Sequence, residues 1–474
     1  MTTDRLPAAV PAQASQDDGL IRPELLALRE ACGGAVHLPG DDCYDETRRP
    51  WNLTVDQRPA AVAYPADADE VAAVVVAARR AGLRVVPQGT GHNAGPLPDL
   101  SDAVLLRTAA LCDVSIDPLE QRARVGAGAL WEDVVGPAAD HGLTALHGSS
   151  PDVGVAGYSL GGGIGWYARK YGMQTNHLTA IELVTADGRQ LRASADQEPE
   201  LFWALRGGGG NFGVVTALEF ELLPLTTAYA GWLVWDWTHA ADVLDAWADW
   251  TRRAPDAVTT AYRILQLPPI EAIPEPLRGR KIVAIDGAIL ADDAVARELL
   301  APLRALGPDL DTFTRSATVD LIRLHGDPEG PTPGVSETSM LASLPPEARD
   351  AFIAAAGHQS GSSLLVAELR QLGGALGRPD PAAGALPQLH GEFAVFAVAV
   401  APTPELAARG RHDAGRVVGA LAPWANARTY LNFAEARTDL RAAFGAEAYA
   451  RLQAVRAQYD PDDVFVANHR IAVG

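Results

Sequence analysis

Cysteine is scarce, with three in 474 residues. Cys32, Cys43 and Cys112 cannot all pair and have no metal-ligand spacing, which excludes a disulfide framework and fits a reducing cytoplasm. Positive charge is short as well: 39 basic residues face 59 acidic ones, for a net charge of −20. Nucleic acid and anionic membrane both demand clustered cations, so neither is expected as a partner. No apolar run approaches the ~20 residues of a membrane span. Met1 to Gly19 is polar and alanine-rich, lacks the regions of a secretory signal, and reads as a loosely attached lead-in. The histidines at 141, 147, 177, 390, 412 and 469 are scattered without an HxxxH pair, so no metal is expected.

What is present is a normal globular mix, 48% hydrophobic and 21% charged, enough for two or three domains. Residues 61–64 and 83–87 read as strands around a helix opened by Asp67 and Glu70, with Val71, Val74, Val75 and Ala78 at helical spacing and Gly82 closing it. That unit delivers a glycine-flanked histidine, His92 in Gly89-Thr90-Gly91-His92-Asn93, at the carboxyl end of a strand, where ligands of open α/β sheets sit. Glycines at 89 and 91 remove side chains that would hold off a large planar ligand and free N–H groups for an anion. Strands are expected at 103–106, 113–116, 122–126, 180–185 and 214–222, and helices near 130–141, 166–171 and 199–206. From about 227 to 420, amphipathic helices alternate with apolar strands such as 282–289, 363–369 and 393–400, as in a sheet covered on one side by helices. The tail carries a strand-like segment at 429–433 and a helix at about 447–459.

A second glycine ladder occupies 148–165. Val125-Gly126-Ala127-Gly128 resembles the start of a dinucleotide fingerprint, but Trp131 stands where the third glycine belongs. Gly161 to Gly165 lacks the Gly-Lys-Ser/Thr of a phosphate loop. Two bare-backbone segments in one domain instead suit a longer ligand with a pyrophosphate and a flat ring.

Together these strings resemble the berberine-bridge-enzyme-like oxidases of the vanillyl-alcohol-oxidase (PCMH-type FAD-binding) superfamily. The resemblance rests on Tyr44 to Asn52, GTGHN at 89–93, HGSSPDVGVAGYSLGGGIGWYARKYGM at 147–173, NHLTAIELVTADG at 176–188 and LFWALRGGGGNFGVVT at 201–216. Glu368 to Ala375, Tyr430-Leu431-Asn432 and RLQAVRAQYDPDDVF at 451–465 extend it over nearly the whole chain after residue 40. It implies an α+β protein: a lead-in over 1–39, a PCMH-type FAD-binding domain over 40–226, a substrate domain over 227–424 with an antiparallel sheet covered by helices, and a segment over 425–474 returning to the FAD domain.

The resemblance also implies site residues. His92 would be bonded covalently to FAD, a reaction open to a neutral imidazole near pH 7. Ser150 stands where many relatives carry a second tethering cysteine, so His92 would be the sole link. The cofactor would further meet Pro87, Gln88, Gly89, Thr90, Gly91, Asn93 and Gly95, then His147, Gly148, Ser149, Val153, Gly154, Val155, Gly157, Gly161, Gly162, Gly165 and Trp166, and finally Asn176, Val184, Tyr430 and Asn432. Tyr158 stands where several relatives have a histidine, and Val155 at a position whose small side chain goes with oxygen access. Glu368 is the expected catalytic base, its pKa raised by desolvation, or else a partner of Arg370; Tyr430 would share or relay the proton. His390 and Glu392 could line the substrate side. The expected activity is hydride transfer from an alcohol or amine C–H, in a sugar or natural-product intermediate, to FAD with oxygen as acceptor. A dehydrogenase using another acceptor and a non-catalytic flavin-binding protein stay open, as does monomer against homodimer.

Overall fold

The computed structural model describes residues 23–33 and 35–473, so the expected lead-in lies largely outside the described residues. A first sheet comprises β1 (Val36–His37), β2 (Ala61–Ala63), β3 (Arg84–Gln88) and β4 (Ala103–Arg107), in the order β1-β2-β4-β3 with the last three parallel. The helix Ala68–Arg80 connects β2 to β3 and buries Val71, Val74, Val75 and Ala78. Asp67 caps it by accepting from the Glu70 amide at 2.9 Å, but Glu70 reaches past Asp67 to the Ala66 amide, so the capping box is only half formed. The chain's end joins this sheet: the Val85 amide donates to Val464 and the Val466 amide to Val85.

The second sheet holds β5 (Val114–Asp117), β6 (Arg122–Gly126), β7 (Leu178–Val184), β8 (Gln190–Ser194) and β9 (Val214–Glu221), antiparallel in the order β5-β6-β9-β7-β8. The glycine run occupies the connection from β6 to β7, around the helix Val155–Leu160.

The third sheet is antiparallel, built from β10 (Thr227–Asp236), β11 (Val258–Gln266), β12 (Lys281–Ile289), β13 (Leu310–Asp311), β14 (Thr314–Ala317), β15 (Gly334–Leu341), β16 (Val366–Gln371) and β17 (Phe393–Val400). Its order is β13-β10-β12-β11-β16-β17-β15, with β14 also on β10. Strand alternation sorts its residues. Tyr262, Ile264, Ile285, Leu369 and Val395 pack under the helices Ala240–Thr251, Asp293–Arg304, Pro346–Ala356 and Pro404–Leu421. The other face turns to the glycine run: Ala228, Ala230 and Ala288 meet Leu146, Trp166 and Tyr167. Met340 and Ala394 likewise meet Ile164, Met173 and Tyr430. Among the described residues no helix is long and apolar enough to cross a membrane.

Two local expectations fail. Residues 429–433 form no strand; Leu431–Phe433 is a 3-10 turn closed by the Phe433 amide on Tyr430, with Asn432 drawn onto the Tyr158 carbonyl at 2.9 Å. The strand expected at 363–369 begins later, at Val366, and runs on to Gln371, with Glu368 inside it paired with Arg263 on β11 and Phe396 on β17.

Candidate functional site

His92 lies just past β3 and is held on three sides. Trp51 stacks on its ring with centroids 4.0 Å apart at 19°. Thr90 Oγ1 engages Nδ1 at 2.7 Å. Nε2 is buried without a hydrogen bond, and the nearest anion, Asp152 Oδ1, is 3.7 Å away. Asp152 in turn accepts from Trp51 Nε1 (2.6 Å), the Gly330 amide (2.8 Å) and Ser150 Oγ (3.1 Å). Burial works to raise its pKa, but His92, the Trp51 indole and the Gly330 amide outweigh it and hold it at about 2. The imidazole is thus held in one orientation, with Nε2 its one ring nitrogen lacking a hydrogen bond among the described residues.

The glycines fall into two groups. At Gly91, φ is +83° and a Cβ would come within 2.7 Å of Pro50, so this glycine serves the turn and not ligand approach as expected. Gly161 lets Asn432 lie against the main chain, Gly165 the His147 carbonyl, Gly162 the Tyr430 ring, Gly95 the Glu435 carbonyl and Gly148 the Tyr158 ring. By contrast a Cβ at Gly157 would meet nothing within 4 Å, and those at Gly89 and Gly154 nothing closer than 3.6 Å. No protein contact demands glycine there, so a group lying against the bare backbone accounts for it. The orphaned Nε2 and these open glycines fit FAD.

Other predicted residues fall variously. Gln88 is buried on β3, its amide oxygen taken by Arg107. Pro87 is in the same strand, and Val153 is half-buried before the helix Val155–Leu160. Asn93 donates to the Leu431 carbonyl at 3.0 Å, joining the His92 loop to the Tyr430–Asn432 turn. His147 is buried, with Nδ1 on the Gly148 carbonyl at 2.6 Å; burial pushes its pKa down to about 4, so it stays neutral. Asn176 keeps a buried Oδ1 without a partner. Val155 is fully buried in the core beside Ala129 and Leu160. Val184 corrects an expectation: its side chain packs in the hydrophobic core with Val71 and Val214, leaving none of it to meet a cofactor. Trp166 is likewise spent on the third sheet, donating to the Leu321 carbonyl at 3.0 Å.

Across the interlayer space, four neighbouring strand positions carry charge. Glu368 Oε1 accepts from Arg370 Nε at 2.6 Å, and Oε2 lies 3.0 Å from His325 Nε2 and 3.9 Å from Arg263 Nε. His325 Nδ1 is 2.7 Å from Asp286 Oδ2, which also accepts from Arg263 at 3.0 Å. Desolvation would raise the Glu368 pKa, as expected from sequence, but Arg370, His325 and Arg263 overcome it and hold the carboxyl far below the usual range. Glu368 is thus held toward its carboxylate form by its cationic neighbours, opposite to the upward shift expected from desolvation alone. Tyr430 shifts the other way: burial raises its phenol pKa, and its oxygen accepts from the Gly163 amide (2.9 Å) and Asn432 Nδ2 (3.2 Å), so it braces the glycine run. His390 and Glu392 are exposed and outside the charged row, though His390 borders a cavity of about 170 Å³ with Tyr430 and Met340.

Two polar contacts from adjacent serines lie between the halves, Ser150 Oγ on Asp152 and Ser149 Oγ on Asp327. Asp152 stands by His92, Ser149 Oγ reaches Asp327 at 3.5 Å, and Asp327 lies 3.7 Å from Arg263. Trp51, Asp152, Asp286, Arg263 and His325 have no motif of their own; the one signal available was that Trp51 and Asp152 fall inside the two strings that flank and follow the His92 loop.

Comparison with known proteins agrees. Residues 59–194 match the FAD binding domain family and 429–472 the berberine and berberine-like family. Over 211 residues the chain is 36% identical to (R)-6-hydroxynicotine oxidase of Paenarthrobacter nicotinovorans, covering 44% of this chain and 46% of that protein. It is 32% identical over 204 residues to xylooligosaccharide oxidase of Thermothelomyces thermophilus, covering 42% and 41%. The matched stretches span less than half the length of these curated relatives. The crystal structure of 6-hydroxy-D-nicotine oxidase from Arthrobacter nicotinovorans superposes with a TM-score of 0.80 at 25% identity, over 93% of this chain and 98% of that one. The chain thus matches a FAD binding domain over 59–194 and a berberine-like segment over 429–472, and it shares the fold of that oxidase, with the His92 loop inside the first match.

Proposed function

We propose that the protein is an FAD-dependent oxidase of a small organic substrate, with the cofactor bonded to His92 alone. The observation that carries this is the orphaned Nε2 of His92, clamped by Trp51 and Thr90 beside backbone left bare at Gly89, Gly154 and Gly157. The relatives' names point the same way, two of them being oxidases. FAD, when bound, supplies the acceptor for a substrate hydride and returns the electrons to dioxygen as hydrogen peroxide.

The chain's own residues bind, orient and exclude water. Asp152 fixes Trp51 on the His92 ring and places a carboxylate 3.7 Å from Nε2. Ser150 is spent on Asp152 and has no thiol for a second link. Asn432 and Tyr430 pin the glycine run from the tail. On the sheet face, Glu368 is covered and spends its two oxygens on Arg370 and His325, holding both cations in place. Its ionisation needs no further tuning. The small Val155 side chain at the head of its helix favours oxygen over another acceptor in this reading. We place the protein in the cytoplasm, where its free cysteines persist.

The test is direct. Acid-precipitated protein should stay yellow, with the flavin on the peptide spanning Val85–Asn93; a colourless precipitate with free FAD in the supernatant would sink the tether. A panel of alcohols and amines should bleach the flavin anaerobically and release peroxide in air. Fast reoxidation by air separates an oxidase from a dehydrogenase, and failure of every substrate to bleach it leaves a flavin-binding protein.

A further inference from the structure

A cavity of about 170 Å³ opens where the tail meets the edge of the third sheet. Met340 of the edge strand β15, the connector 385–390, the segment 428–430 and the helices Leu440–Phe444 and Ala446–Tyr459 enclose it. None of the charged row lines it, and neither does any residue of the His92 loop. Tyr430 is the shared wall: it lines the cavity and meets Phe433 edge-on at 5.0 Å, and Phe433 lies 5.4 Å under the Arg370 guanidinium. The proposed function leaves this cavity unused.

Its lining has two sides. Met340, Leu386, Leu389 and Phe444 supply apolar surface. The volume suits a compact body, being close to that of a roughly 150 Å³ cavity that holds benzene. Arg428, His390 and Gln388 supply the polar side, and no acidic residue lines the cavity although the chain carries a net charge of −20.

The cation of this site is only half used. Arg428 Nη1 donates to the Ala442 and Ala443 carbonyls at 3.1 and 3.2 Å, closing their helix. Its Nε and Nη2 make no hydrogen bond among the described residues, and no carboxylate there pairs with the guanidinium. Burial and Arg428 together push the His390 pKa down, so that ring stays neutral at pH 7. Gln388 Oε1 is buried without a partner, and Nε2 lies 3.2 Å from both His390 ring nitrogens. Turned about its last bond, the amide accepts from His390 and brings its own N–H groups to the cavity. A cationic ligand would be repelled here and a neutral one would leave the guanidinium unanswered, whereas a carboxylate engages it and the amide together.

We propose that this cavity is a second small-molecule site, separate from the His92 loop and the charged row, and that it takes a small monocarboxylate with an apolar body. The carboxylate sits on Arg428 with the Gln388 amide beside it, and the body lies against Met340, Leu386, Leu389 and Phe444. The site stands independently of the oxidase reading.

Isothermal calorimetry on the flavin-loaded protein tests this, with pentanoate as the probe. Pentanoate should bind. Acetate, three methylenes shorter, should bind about sixtyfold more weakly, each methylene being worth about fourfold. Pentylammonium, the cationic counterpart, should not bind. Arg428→Gln should weaken pentanoate about tenfold. Because Arg428 also closes a helix, a second variant keeps it: Ala448→Leu fills the cavity from the helix Ala446–Tyr459 and should abolish binding with the thermal midpoint held. Absence of pentanoate binding to the wild type, or binding unmoved by both variants, would overturn the proposal. So would pentanoate raising the KM of whichever alcohol or amine bleaches the flavin while the limiting rate holds, because that puts the acid on the substrate face. Pentanoate bound with that KM unchanged supports a second site. Pentanoate binding that depends on Arg428 in a protein that no alcohol or amine bleaches would remove the oxidase reading and leave this site standing.

Discussion

His325 makes the charged row measurable through pH. Burial and the nearby Arg263 both oppose a charged imidazole, yet Asp286, Asp327 and Glu368 prevail and raise its pKa from 6.5 to about 9. The folded protein therefore holds this proton more tightly than the unfolded chain does. Its stabilisation is fully present below pH 6.5 and is lost as pH rises through about 9. At about 1.36 kcal/mol per pH unit, the rise from 6.5 to about 9 corresponds to about 3 kcal/mol, of which about 2 is lost between pH 7 and pH 9. Burial pushes the Glu435 carboxyl up to about 7, so it too loses stabilisation as pH rises through the lower edge of the window, but equally in wild type and variant, and it cancels in their comparison. Glu368 is ionised throughout, and His147, whose pKa lies at about 4, acts below 6.5 and with the opposite sign. Urea unfolding at pH 7 and pH 9 should show the wild type losing about 2 kcal/mol more than His325→Gln. The variant should be weaker at pH 7, because Asp286 and Glu368 lose a buried partner, but flatter across the window. Equal slopes for the two proteins would refute the ionic reading of this cluster.

Other expectations follow from the tether and the tail. His92→Ala should yield protein whose flavin is released entirely by acid, read by absorbance of the supernatant; a yellow precipitate would mean that another residue forms the bond. Asp152→Asn removes the carboxylate beside Nε2 and one acceptor of the Trp51 indole, so the flavinylated fraction measured by intact mass should fall below that of the wild type under limiting FAD. Arg456 is fully buried and donates to Asn211, Phe465 and Asp463, tying the final helix and strand to the FAD-binding half. Arg456→Met should cost about 3–5 kcal/mol in urea unfolding, since Asp460 is left buried without its cation. A loss below about 1 kcal/mol would show that the tail is held by its apolar contacts alone.

The parts of the fold written in local patterns were legible. Asp67 and the Val71, Val74, Val75, Ala78 spacing specify a helix because cap and stripe lie within one short stretch. The apolar strands of the third sheet and its one-sided helical cover follow from alternation and amphipathic spacing. The segment 429–433 misled because its aromatic composition suits a strand, while its conformation is set by Tyr158 and Gly163, more than 250 residues away. Glycine is ambiguous in the same way. Gly157 faces open space while Gly91 and Gly161 serve internal contacts, and only the neighbours distinguish them. Glu368 was found, but the sign of its pKa shift was not, because Asp286 and His325 lie 82 and 43 positions from it and no motif connects them.

The two faces of the third sheet argue that the charged row is there for chemistry. The same strands that carry Asp286, Arg263, Glu368 and Arg370 on one side carry Ile285, Tyr262, Ile264 and Leu369 on the other. Stability alone asks for the second pattern twice. Taking charges out of water is repaid only by near-complete pairing, and well-packed apolar residues of similar volume do as well or better. Here the pairing is close but not complete: Arg263 Nε and Asp286 Oδ1 remain buried without hydrogen bonds, and Arg370 Nη1 is free. An arrangement that leaves buried polar atoms unspent is what the proposed function asks of this face and what stability alone does not. Replacing the whole row by apolar residues should therefore leave the helix-covered face intact and hold or raise the urea midpoint. A row built for stability would instead show the midpoint falling steeply.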